Sequence, residues 1–175
     1  MSSESNTTAG LGVPARAGAV PFFFVSVLLL VEFLDEILDG AHGAAWPLIR
    51  DDLGLTYTQI GVLLSVPTLA AALVEPVMGI LGDVWRRRVL VLAGGVAFTL
   101  AVLATGLSYS FAVLLAASVL FYPASGAFVN FSQAALMDAA PARREQNMVR
   151  WTLAGTVGNV AGPLLVGAAV AYGVG

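Results

Sequence analysis

The sequence predicts an all-α polytopic membrane protein with about five transmembrane helices. Hydrophobic residues make up 58% of the 175 residues and charged residues 11%, whereas ordinary soluble domains have roughly 25% charged residues. A soluble chain of this length has no core large enough to bury so much apolar surface. The apolar residues also form long runs, and a helix needs about 20 of them to cross a bilayer. Most of the chain is therefore expected to lie in lipid.

The runs define the order of the predicted elements. Residues 1–18 are polar and small, and they are expected to form a disordered cytoplasmic leader before a transmembrane helical domain at 19–175. The first apolar run becomes acidic in its second half, whereas the second contains Glu75 as its only charged residue. Transmembrane helices are predicted over five ranges, about 20–48, 57–82, 88–109, 111–138 and 148–174.

The basic residues predict how these helices are oriented. All eight are arginine. If the N-terminus is cytoplasmic, seven arginines fall on the cytoplasmic side and only Arg50 on the other. Cytoplasmic loops of membrane proteins carry such an excess of positive charge. The sequence therefore predicts a multi-pass protein of the cell (cytoplasmic) membrane with its N-terminus in the cytoplasm.

Several kinds of site are excluded or disfavoured by composition. The chain has no cysteine and one histidine, which excludes disulfides, thiolate ligands and multi-histidine metal sites. No arrangement of nucleophile and base stands out. We therefore expect no enzyme activity, no metal, no cofactor and no nucleic-acid partner.

The first helix carries an acidic face. A carboxylate that faces lipid near the bilayer centre costs at least about 2.5–3.5 kcal/mol, so this face is expected to line a water-filled cavity or to contact other helices. Burial and close neighbours favour the protonated acid, and we therefore predict that the face binds substrate or protons. Which acid carries a proton is left open. The four acids follow an i, i+3, i+4, i+7 pattern with a histidine near their edge: Glu32, Asp35, Glu36, Asp39 and His42.

A second interpretation of this segment ends the first helix near Leu30. Residues 32–52 would then form an amphipathic segment on the membrane surface. Residues 20–30 are too few to cross the bilayer, which favours one continuous helix.

Two later helices add polar residues in apolar surroundings. Glu75 is followed by Pro76, which frees a backbone carbonyl and can kink the helix. We predict that Glu75 lines the same polar cavity as the first helix; the alternative is an acid near the cytoplasmic interface, paired with an arginine. The fourth helix has a polar face about 80° wide that would form a cavity wall or hydrogen bonds between helices: Tyr122, Gly126, Asn130 and Gln133.

The connection between the second and third helices reads GILGDVWRRR over residues 79–88. It resembles the signature loop of the major facilitator superfamily of secondary transporters. The matching residues are Gly79, Leu81, Asp83, Arg87 and Arg88. Arg86 stands where the family has its second glycine. The resemblance implies that this loop acts as a conformational switch, with Asp138 after the fourth helix as a natural partner for its arginines.

The fifth helix resembles the glycine–proline motif of the family's drug/proton antiporters. The matching residues are Gly158, Gly162, Pro163 and Gly167. Val166 replaces one glycine of the motif, and the arginine that those antiporters carry on the fourth helix is absent. The resemblance implies a helix that bends and packs closely.

Together these motifs cover residues 20–175 and imply an incomplete N-terminal half of a bundle that has two six-helix halves. They imply secondary active transport of a small-molecule substrate by alternating access across the lipid bilayer. We expect proton coupling through the acidic face, export by antiport, and a missing C-terminal half or partner chain. The alternative is a truncated or partner-dependent membrane protein with no transport activity alone. An intramembrane aspartyl dyad is disfavoured by the signature loop.

Overall fold

A computed structural model describes residues 20–173, and the leader predicted at 1–18 lies outside this part of the chain. Within the described residues the structure is an all-α bundle without strands, as predicted. A single 3-10 turn, Pro141–Arg143, precedes the last helix. The five helices are α1 Phe22–Leu53, α2 Tyr57–Val84, α3 Arg87–Gly106, α4 Phe111–Ala139 and α5 Arg144–Ala171.

Length and composition allow four segments to cross a membrane. The first helix has 32 residues and is long enough, at about 48 Å on helical rise, but four acidic residues over 32–39 set it apart from these segments. It is continuous through those residues, with no break near Leu30. The four apolar segments are Tyr57–Val84, Arg87–Gly106, Phe111–Ala139 and Pro141–Ala171.

The connection between α1 and α2 is short because both helix ends are capped locally. Gly54 closes α1 in the left-handed conformation, with φ of 60°, and its N–H donates to the carbonyl of Arg50. Thr56 and Gln59 then form a reciprocal capping box at the start of α2. These caps satisfy backbone groups that would otherwise be free at the two ends, and α2 then packs against α4.

The bundle has two ends that differ in charge. An ion pair joins Arg87, at the start of α3, to Asp138, at the end of α4. The α2–α3 and α4–α5 connections therefore lie together, and we call this the arginine-rich end. At the other end, Leu55 packs with Leu63 and Leu114 near the α1–α2 connection. This is the Arg50 end.

Packing between helices is uneven. Helix α1 packs mainly against α5, and α4 packs against α3 and α2. Apolar side chains fill the α3–α4 contact, where Phe98 meets Phe121 at a ring distance of 5.3 Å. Many large apolar side chains on the outer faces are exposed, as expected for helices that face lipid.

The contact between α1 and α5 depends on glycine. A Cβ atom at Gly158 would lie 2.5 Å from the carbonyl oxygen of Phe33, and one at Gly40 would lie 2.5 Å from the carbonyl oxygen of Asn159. Gly162 is equally close to the backbone of Ile37. The two backbones thus touch, which small residues permit in membrane helices. Close packing through Gly158 and Gly162 is confirmed, and α5 continues through Pro163 as one helix.

We predict that Gly158→Ala and Gly162→Ala each lower the free energy of unfolding by about 1–3 kcal/mol, because the added methyl group forces the two backbones apart. Gly61→Ala is the matched control, since a Cβ there has nothing within 4 Å. That change should be neutral or stabilise by about 0.5–1 kcal/mol. Denaturant unfolding in detergent measures all three, and a Gly158→Ala protein as stable as wild type would contradict the packing.

Candidate functional site

Two of the acids on α1, Glu32 and Glu36, face α5. Glu32 is only 7% exposed, and its carboxylate oxygen lies so close to Gly155 that a Cβ there would be 2.6 Å away. Glu36 accepts a hydrogen bond of 3.0 Å from the Asn159 side-chain amide. These residues line a hollow of about 450 Å³ with Gln133, which we call the α1–α5 cleft. Residues of α5 thus face Glu32 and Glu36.

The other two acids on α1, Asp35 and Asp39, turn toward α4. The Ser125 hydroxyl donates a hydrogen bond of 2.7 Å to the carboxylate of Asp35, near the middle of both helices. Asp39 lies one turn further along, close enough to His42 and Tyr122 to act on them electrostatically. The acidic face is therefore shared between two neighbouring helices.

His42 occupies a second hollow, toward the Arg50 end. Its ring lies 5.0 Å from that of Trp46 and 6.3 Å from that of Phe121. The hollow, which we call the His42 cavity, has a volume of about 350 Å³ and lies between α1, α3 and α4, with Asp52 and Thr105 in its wall. The His42 Nε2 atom is buried and has no hydrogen-bond partner among the described residues.

A third hollow lies between α2 and α4. This α2–α4 cavity has a volume of about 250 Å³ and contains Glu75, Tyr122 and Asn130. Gln133 belongs instead to the α1–α5 cleft, so the polar face of α4 is divided between two hollows. Glu75 is exposed and forms no ion pair with the described arginines.

The signature-loop residues gather at the arginine-rich end. Asp138 pairs with Arg87 and, at 3.5 Å, with Arg144, and it thereby links the starts of α3 and α5. The partnership of Asp138 with an arginine of this loop is confirmed. Asp83 lines the α2–α4 cavity beside Arg87, as does Gly79. Arg88 is exposed.

Three contributors to the site were not predicted as site residues. Asn159 is a polar residue in the middle of an apolar helix, the same signal that identified Asn130. Ser125 belongs to the polar part of α4, but its bond to Asp35 depends on where α1 and α4 cross. Gly155 lies before the glycine–proline motif of α5, yet it makes room for Glu32.

The remaining motif residues pack rather than line a hollow. The Pro163 ring lies against Gly40, 3.0 Å from where a Cβ would be, whereas a Cβ at Gly167 would have nothing within 4 Å. Within residues 20–173, no group of three or more acidic or histidine side chains is placed to hold a metal ion. The described hollows offer carboxylates, amides, hydroxyls, one imidazole and, in the α2–α4 cavity, the guanidinium of Arg87.

Comparison with known proteins is consistent with the motifs. Residues 28–174 match the family described as the Major Facilitator Superfamily. The chain is 28% identical, over 181 aligned residues, to the fosmidomycin resistance protein of Escherichia coli (strain K12). That alignment covers all of this chain and 43% of the relative, so the chain spans less than half the length of that protein. No solved structure matches.

We predict that Asn159 and Glu36 are energetically coupled. In a double-mutant cycle with Asn159→Ala and Glu36→Ala, the interaction should be about 0.5–3 kcal/mol, because each change removes one partner of the same hydrogen bond. Thr156→Ala replaces Asn159→Ala in the control cycle, since the Thr156 hydroxyl donates to its own helix at the carbonyl of Thr152. Unfolding free energies that add within about 0.5 kcal/mol for Asn159 and Glu36 would contradict the bond.

Proposed function

The chain belongs to the Major Facilitator Superfamily, a family of membrane transporters, and from this premise we propose that it is the N-terminal part of a secondary active transporter. In this proposal a small solute crosses the membrane by alternating access. The observation that supports it most is the acidic face of α1, on which Glu32 is buried and Asp35 and Glu36 are half-buried beside α4 and α5. A C-terminal half or partner chain would supply the other wall of the pathway.

Proton coupling is proposed because the interior acids lack basic partners. The ion pairs among the described residues involve Arg50, Arg87 and Arg144, all at the two ends of the bundle. Inside, Asp35 and Glu36 receive hydrogen bonds from a neutral hydroxyl and a neutral amide. A buried carboxylate without a counter-charge is costly, whereas the protonated acid is not. An acid that alternates between a dry and a hydrated state would therefore bind and release a proton in each cycle.

The direction of transport is proposed to be export. The similar protein is named for fosmidomycin resistance, and the α5 motif resembles that of drug/proton antiporters. Six of the described arginines lie at or near the arginine-rich end, and Arg50 at the other. The positive-inside rule then favours a cytoplasmic arginine-rich end in the cell membrane. Fosmidomycin is the first solute to test.

The charge cluster is proposed to act as the conformational switch. Asp138 joins the starts of α3 and α5 through Arg87 and Arg144, and both pairs are partly exposed. Exposed pairs contribute only about 0–1 kcal/mol each, so they form and break at little cost. Such a cluster would favour one side of the alternating-access cycle without locking it.

We predict that neutralising the coupling acid abolishes transport driven by a pH gradient. The experiment measures fosmidomycin transport by the full-length protein in liposomes, with Glu32→Gln, Asp35→Asn, Glu36→Gln and Asp39→Asn tested singly. At least one should lose gradient-driven transport, because the neutral amide cannot carry a proton. Asp51→Asn is the control, since Asp51 is an exposed acid at the Arg50 end that pairs only with Arg50 among the described residues.

Two outcomes separate the alternatives. If all four variants keep both transport and its pH dependence, the acidic face does not couple protons. If the 175-residue chain alone produces no flux, and flux returns when the rest of the transporter is supplied, the chain is partner-dependent. Flux by the 175-residue chain alone would contradict that alternative.

A further inference from the structure

The titratable side chains of α1 form a series that joins two of the hollows. Glu32 and Glu36 line the α1–α5 cleft, and His42 lines the His42 cavity. Asp35 and Asp39 lie between them along the helix. From His42 the spacing is three residues to Asp39, three more to Glu36 and four more to Glu32, which places the Cβ atoms of each of these neighbouring pairs about 5–6 Å apart. Protons can pass between groups at this spacing when side chains reorient or water intervenes.

The series extends through much of the bundle. Helix α1 begins at Phe22 at the arginine-rich end. On helical rise, Glu32 lies about 15 Å and His42 about 30 Å along α1 from that start. The α1–α5 cleft therefore lies in the half of the bundle nearer the arginine-rich end, and the His42 cavity lies in the half nearer the Arg50 end. The Asp35–Ser125 hydrogen bond is close to the midpoint.

His42 is suited to receive protons in its cavity. Its ring is held between Trp46 and Phe121, and its Nε2 atom has no hydrogen-bond partner among the described residues. Imidazole is the side chain that ordinarily exchanges protons near neutral pH. Asp39 is one turn away on the same helix, on the side of the acidic face.

The groups that face His42 leave few other proton acceptors. On α1 the charged neighbours are Asp39 and Asp52, and α4 contributes the apolar side chains of Leu114 and Phe121. Thr105 on α3 and Ser108, just after the end of α3, also line the cavity, and both hydroxyls donate to carbonyls of α3. The α5 residue in the wall is an apolar valine, Val166.

We propose that His42 is the entry point for protons from the Arg50 end, and that it passes them to Asp39 and along α1 to the α1–α5 cleft. The imidazole takes a proton from water in the His42 cavity and becomes imidazolium. It then gives a proton to the Asp39 carboxylate, which becomes neutral as the neutral ring is restored. This inference rests on the proposed proton coupling and adds the route that the protons take along α1.

The first test follows His42 directly and needs no substrate. The chain has one histidine, so a ¹⁵N-histidine NMR spectrum of the full-length protein in lipid nanodiscs, compared with that of His42→Gln, identifies its signal. The signal should titrate with bulk pH between about 5 and 8, and Asp39→Asn should shift the midpoint. A signal that does not respond to bulk pH, or a midpoint unchanged by Asp39→Asn, would overturn the proposal.

The second test separates the route from proton coupling itself. Fosmidomycin transport by the full-length protein is driven in liposomes by a pH gradient, and fosmidomycin exchange is measured at equal pH as a check of folding and binding. His42→Gln should lose gradient-driven transport and keep exchange, whereas Asp51→Asn should keep both. If His42→Gln keeps gradient-driven transport while at least one of the four acid variants loses it, His42 is not the entry point although coupling stands. If His42→Gln and all four acid variants keep it, proton coupling through α1 fails as well.

Discussion

Carboxylates on a membrane helix have to be kept away from lipid, and much of this structure follows from that constraint. Each acid facing lipid at the bilayer centre would cost at least about 2.5–3.5 kcal/mol. Helix α1 carries four of them on one face, and that face is directed to α4 and α5. The helix therefore packs into the bundle through its polar side. Its opposite face exposes apolar side chains such as Leu30 and Leu34 on the outside of the bundle.

The packing of α5 against α1 leaves the acids of α1 able to gain and lose protons. Glycines at 155 and 158 let the two backbones approach and leave room for Glu32 and Glu36. The partners of the acids are an amide at Asn159 and a hydroxyl at Ser125, where an arginine would have fixed them as permanent ion pairs. Acids held by neutral donors remain able to gain and lose protons, which is what a proton-coupled transporter requires.

The parts of the account that could be predicted from sequence are those set by periodicity and local charge. Run length predicted the helices, helical phase predicted the shared face of Glu32 to Asp39, and the loop motif predicted the Arg87–Asp138 pair. Periodicity does not encode where two helices cross. For this reason Ser125 and Gly155 were missed, and the polar face of α4 was predicted as one wall although Asn130 and Gln133 line different hollows.

The most direct test of the account asks whether the acidic face meets water while the protein is in its membrane. The chain has no cysteine, so no native cysteine in these residues adds background labelling. Single cysteines are introduced at Glu36, Asp39, Leu30 and Leu34. A charged, water-soluble maleimide applied to native membranes should label Glu36→Cys and Asp39→Cys and leave Leu30→Cys and Leu34→Cys unlabelled. Labelling at the two leucine positions, with none at the two acidic positions, would contradict the placement of the acidic face.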